Sequence, residues 1–182
     1  MRFRSLARDE MDEAQRRVVD NAVAGKRGSA PPPLVAWLQS PELADRAQRL
    51  GEFVRFDTSL PSPLSELAIL LTARFWTSHY EWHAHKRMAL KAGIDPAVVE
   101  AIARRKRPKL DDRRARAVYD FSKALHETHA VPEPVFAAAL RELGRRGVVE
   151  LTGILGYYTL VSMTLNVFEI GLPEGERPEL EP

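Results

Sequence analysis

Apolar residues recur along this chain at helical spacing, and no run alternates with the period of two that a half-buried strand needs. Hairpin turns of the Asn-Gly or Asp-Gly kind are absent. The pattern predicts a first helix over residues 8–24, stopped by Gly25. The loop Gly28-Ser29-Ala30-Pro31-Pro32-Pro33 follows, and its three prolines forbid helix and favour an extended arm. Short helices are predicted over 34–39 and 41–56. Ser62 is placed to cap the next helix, with Pro63 at its first position and Leu64, Leu67, Ala68 and Leu71 on its apolar face. Helical periodicity then runs on to Lys91, with Gly93 as the stop. Asp95-Pro96 opens a short helix ending near Arg105. Asp111 or Asp112 opens another that reaches about His129. Residues 134–143 form a further helix closed by Gly144, and residues 148–170 form the last, ended by Gly171 and Pro173. The chain is therefore expected to be all-α. It divides into an N-terminal helix and Pro-rich arm (1–40), a helical domain (41–173) and a polar tail (174–182) that should be extended or mobile.

Residues 151–168 carry no formal charge and approach the length of a membrane span. Thr152, Thr159, Ser162, Thr164 and Asn166 within it would be costly in lipid, so it reads as a helix buried in a protein core or subunit interface, not a membrane segment. Elsewhere the balance is that of a soluble folded protein, with 45% hydrophobic and 29% charged residues. A net charge of +2 implies no general affinity for nucleic acid. The basic run from Arg104 to Lys109, continued by Arg113, Arg114 and Arg116, is broken by Asp111 and Asp112 and has no interleaved aromatic residue. It reads as a solvated loop that helps attract an anionic substrate. The arginines near Met1 lead into charged residues instead of an apolar stretch, so no signal peptide is expected and the default location is cytoplasmic. The absence of cysteine removes disulfides, thiolate metal sites and every thiol-based mechanism.

Chemistry concentrates in Ser78-His79-Tyr80-Glu81-Trp82-His83-Ala84-His85, which holds three of the five histidines. Imidazole moves protons near neutral pH, and a neighbouring carboxylate tunes and orients it. Glu81 and His85 are four apart and share a helix face; His79 and His83 form a second such pair on another face. Glu66 would lie about 28 Å from His85 on one straight helix. Ser78-x-x-Glu81 is, however, a capping-box pattern after the bulky Phe75-Trp76-Thr77. If the chain folds back there, Glu66 approaches the Glu81–His85 face. Glu81 is then either the return half of the box or a partner of His85, or both. His79 and His83 could chelate a divalent metal, although the HExxH arrangement is missing. His126 and His129 read as solvated. Trp76, Tyr80 and Trp82 suit core or interface packing as well as a substrate box, and Tyr157, Tyr158 and Asn166 suit pocket walls.

Glu66, then Ser78-x-x-Glu81-x-x-x-His85, then Ala92-Gly93-Ile94 and a short helix, together resemble the carboxymuconolactone decarboxylase and alkylhydroperoxidase D superfamily. Tyr80-Glu81-Trp82-x-x-His85 is similar to its decarboxylase-type branch, and residues 150–168 to its C-terminal helix. The resemblance spans about residues 44–173. In the peroxidase branch a Cys-x-x-Cys stands between the Glu and the His. Here Ser78 and Glu81 hold those two positions, and neither can replace an attacking thiolate. The resemblance implies an alkylhydroperoxidase D-like helical bundle with an added N-terminal arm. It implies a cofactor-free lyase or proton-transfer enzyme of aromatic compound catabolism, acting on a small carboxylated lactone or related acid. His85 would be general acid or base, with Glu66 and Glu81 orienting it or shuttling a proton, and Ser78, Trp82, Tyr158 and Asn166 would contact substrate. It also implies a symmetric homo-oligomer, trimer or hexamer. Two alternatives stay open: a non-catalytic ligand-binding or structural member, and a divalent-metal enzyme using His79 and His83.

Overall fold

The computed structural model describes all 182 residues, and its regular elements are helices only. Asp12 and Gln15 exchange side-chain-to-backbone hydrogen bonds in a reciprocal capping box, so helix α1 (Glu13–Ala24) starts there and not at residue 8; Arg8–Glu10 form a separate 3-10 turn. After the Pro-rich arm come α2 (Leu34–Trp37) and α3 (Pro41–Phe56). Helix α4 (Ser62–Phe75) has Pro61, not Ser62, at its cap position, and no side chain caps it. Then follow α5 (His79–Lys91), α6 (Pro96–Ala103), α7 (Arg113–Thr128) and α8 (Glu133–Val167). Gly144, at φ 72° and ψ 173°, breaks α8 where the sequence predicts a stop, but helix resumes at once on the far side.

The turn between α4 and α5 decides where the chemistry sits. The Ser78 amide donates to the Ala73 carbonyl at 2.8 Å and the Thr77 amide to Arg74 at 3.1 Å, which is the bonding of a Schellman motif. Such a motif needs a left-handed residue, and Thr77 supplies it at φ 45°. A β-branched residue is strained there. The Thr77 hydroxyl accepts from Arg74 at 3.0 Å and from Arg105 at 3.3 Å, and those bonds help hold the conformation. Helix α5 thereby folds back along α4 as an antiparallel partner.

Helix α4 is the hub, packed against α5, α7 and α8. Its Leu64, Leu67, Ile69 and Leu70 meet Leu151, Ile154 and Leu155 of α8 within one core. The arm belongs to the same core: Val18, Ala22, Leu34 and Trp37 are buried in it, and Trp37 Nε1 donates to Thr164 Oγ1 at 2.9 Å. The tail is extended as expected, but it is packed: Leu180 is buried, Arg74 donates to the Glu181 carbonyl at 2.7 Å, and Lys86 pairs with Glu179. Helix α8 alone is long and apolar enough to cross a membrane, yet 61% of its most apolar window is buried inside the protein.

Candidate active site

The α4–α5 hairpin carries Glu66 and His85 to each other. Both are buried, and the Nδ1–H of His85 donates to Glu66 Oε2 at 2.7 Å. On the other edge of the ring, Nε2 lies 3.1 Å from Glu81 Oε1, one helical turn back. The ring of Tyr158 stands edge-on to the imidazole at 5.0 Å and 83°. Burial pushes the imidazole toward its neutral form, but hydrogen bonds to Glu66 and Glu81 and the charges of both carboxylates more than offset it. The pKa is raised to about 9. At neutral pH the site therefore holds an imidazolium that donates to Glu66 and stands at ion-pair distance from Glu81.

One side of this array faces open space. Glu81 and His85 lie on the wall of a cavity of about 330 Å³, together with Tyr80, Tyr157, Tyr158 and Arg55. Its opposite wall is the arm, residues 29–33 with Arg27. Glu66 is not on that wall and reaches the cavity only through the imidazole. Burial holds the Tyr158 phenol well above its ordinary range and raises Tyr157 to about 12, so both hydroxyls stay neutral.

Of the four expected substrate contacts, Tyr158 is the one on the cavity. Trp82 is a fully buried core residue, because the α5 face that carries it is turned onto the helices beneath. Ser78 is also fully buried, its hydroxyl without a partner, and it makes no capping bond; Glu81 is turned to His85 instead. Ser78 and Asn166 border a different concavity beside the tail, and Asn166 donates to the Trp76 carbonyl at 2.8 Å. His79 borders that concavity too, while His83 Nδ1 is 3.9 Å from Glu176. No group of three or more His, Asp or Glu side chains is arranged to hold a metal ion. His126, expected in solvent, is buried: its Nε2–H donates to Thr72 Oγ1 at 3.0 Å, its ring stacks on Phe75 at 4.7 Å, and burial lowers its pKa to about 4. Tyr157, read as a pocket wall, is on the cavity, and the cavity residues that sequence reasoning passed over are Arg27, Arg55 and the arm itself.

No family model matches the sequence, and no curated protein matches it. Solved structures do. An alkylhydroperoxidase AhpD core, an uncharacterized peroxidase-related protein from Ralstonia eutropha, superposes with a TM-score of 0.76 at 18% identity, covering 95% of this chain and 92% of that one. This is the alkylhydroperoxidase D-like fold. The fold recurs in a protein of unknown function from Agrobacterium tumefaciens (TM-score 0.68, 14% identity, 76% of this chain and 95% of that one). It recurs in the debrominase Bmp8 (0.70, 15% identity, 93% and 91%). A Bmp8 variant with one cysteine changed to alanine was solved in complex with 2,3,4-tribromopyrrole. At these identities the likeness establishes the alkylhydroperoxidase D-like fold and, through the debrominase, shows that the fold hosts catalysis. This chain lacks cysteine, so it has no thiol of its own to attack a substrate.

Proposed function

We propose that this chain is a cofactor-free proton-transfer enzyme, a decarboxylase-type lyase acting on a small carboxylated lactone or related acid. The observation that supports this reading is the buried array Glu66–His85–Glu81, opening at one end onto a half-open cavity. Decarboxylation breaks the bond between the ring carbon and the carboxylate. Carbon dioxide leaves, the electron pair enters the conjugated lactone as a dienolate, and a proton must return to carbon. His85 stores that proton as imidazolium and delivers it at the cavity, directly from Nε2 or through Glu81. Glu66 keeps the other N–H occupied, so the neutral ring left behind keeps its orientation and tautomer.

A homo-oligomer, trimer or hexamer, is part of the same reading. It is supported by apolar side chains left open on two helices: Leu50 and Phe53 on α3, and Val149, Met163 and Val167 on α8. A cytoplasmic location completes it. Turnover of 4-carboxymuconolactone, followed as loss of substrate absorbance, tests the proposal. Wild type should be active, and His85→Ala, checked for helical content, should lose about a hundredfold or more. Undiminished activity in the variant removes His85 from the reaction. A wild type inert toward carboxylated lactones removes the reaction class.

A further inference from the structure

The cavity carries two guanidinium groups that the proton array does not use. Surface arginines such as Arg4, Arg8 and Arg107 each pair with a carboxylate. Arg27 and Arg55, both on the cavity wall, pair with none. Arg55 has only soft partners: Met88 Sδ at 3.1 Å and the Phe56 ring at 5.1 Å. Arg27 interacts with the Tyr157 hydroxyl, but its Nε and Nη2 are shielded from solvent and meet no hydrogen-bond acceptor. A guanidinium stays charged under all ordinary conditions, and leaving its buried donors unsatisfied is costly.

Two further features show that this corner is built. Tyr158, 2% exposed, has a hydroxyl with no protein partner, and its ring lies on the same wall. Gly51 sits inside α3, where glycine costs about 1 kcal/mol relative to alanine. A Cβ there would fall 2.1 Å from Tyr157 Oη and 2.9 Å from Arg27 Nη2. The helix thus forgoes a side chain so that the tyrosine and the guanidinium can approach it.

Charge completes the argument. Arg27, Arg55 and the His85 imidazolium carry three positive charges against the two of Glu66 and Glu81, leaving one positive charge for a ligand to neutralise. We propose that Arg27, brought in by the Pro-rich arm, and Arg55 form a carboxylate-binding subsite, with the Tyr158 hydroxyl as a neutral donor, and that the cavity selects single-ring acids that keep a carboxylate for this subsite. Prolines 31–33 and Tyr157 supply the apolar flank for the ring, and about 330 Å³ suits one ring with its substituents. This inference rests on the proposed function and names the recognition half of that same site.

Isothermal titration with benzoate and its neutral isostere benzamide tests it without turnover. Benzoate should bind wild type about tenfold or more tightly than benzamide. Arg27→Gln should remove that advantage and leave benzamide binding unchanged. Arg27→Lys should restore part of it, and Arg55→Gln should weaken benzoate independently. Equal binding of the two probes, no benzoate binding in the millimolar range, or unchanged benzoate affinity in a folded Arg27→Gln each overturns the subsite. Failure of the enzymatic reading looks different: benzoate binds in an Arg27-dependent way while lactone turnover is absent. Lactone turnover with KM unaltered by Arg27→Gln sinks the subsite alone.

Discussion

The strongest quantitative consequence of the site concerns His85 and alkali. Its imidazole stands near 9 in the folded protein and near 6.5 when unfolded, so between those values the folded state binds the extra proton. A raised pKa stabilises fully below about 6.5, and that stability is lost as pH rises through about 9. Each unit is worth about 1.4 kcal/mol, so the loss across the window is about 3 kcal/mol. Urea denaturation of wild type at pH 6, 7, 8 and 9, beside His85→Gln at the same values, isolates this component as the difference between the two slopes. In Glu66→Gln the bond at 2.7 Å loses its charge, and the pKa should fall by about one to two units. The His85 ring-proton NMR resonance should shift its titration accordingly. Parallel pH profiles for wild type and His85→Gln, or a His85 resonance titrating near 6.5, would refute the reasoning, because either means that the two carboxylates do not hold the proton.

Gly51→Ala offers a second, independent test. Alanine gains about 1 kcal/mol of helix propensity, but its Cβ would sit 2.1 Å from the hydroxyl of a rigid, buried tyrosine, and such overpacking costs about 1–3 kcal/mol. The variant should melt below wild type and bind benzoate less well; a higher Tm with unchanged binding contradicts the close-approach argument. Light scattering at micromolar concentration should give the mass of a trimer or hexamer, and Phe53→Glu, on the open face of α3, should shift it toward monomer. A monomeric wild type ends the oligomer proposal.

Local signals carried much of the fold. Glycine at 93 and 144 marks left-handed or kinked positions that other residues enter only under strain, and both stops fall as read from the chain. The fold-back near Ser78 was legible for a partly mistaken reason. Serine followed three residues later by glutamate suggests a capping box, yet Ser78 makes no capping bond and Glu81 turns inward to His85, an ion pair with a full charge in place of a bond to a backbone N–H. What ends α4 is Thr77, held left-handed in part by Arg74 and Arg105, and the Arg105 contact comes from a distant segment.

Tertiary placement accounts for the other differences. Trp82 and His126 are buried because of what packs over α5 and α7, which neither residue's neighbours in sequence announce. Arg27 and Arg55 drew no reading from the sequence, since nothing local says that one cavity gathers both beside a histidine far along the chain. The three prolines were expected to be extended, but their carbonyls accept the first hydrogen bonds of α2 and Pro33 is right-handed, because proline's fixed φ suits a helix start; what this turn covers is not written locally.

That arm separates two kinds of evolutionary freedom. The proton array hangs on one helical hairpin, where almost any change disturbs its spacing. The roof over it hangs on a non-helical stretch that meets the array across open space. On the proposed reading, mutations in residues 27–33 retune which molecules the cavity admits while the Glu66–His85–Glu81 array stays intact, so a new specificity can arise here without first giving up the old chemistry.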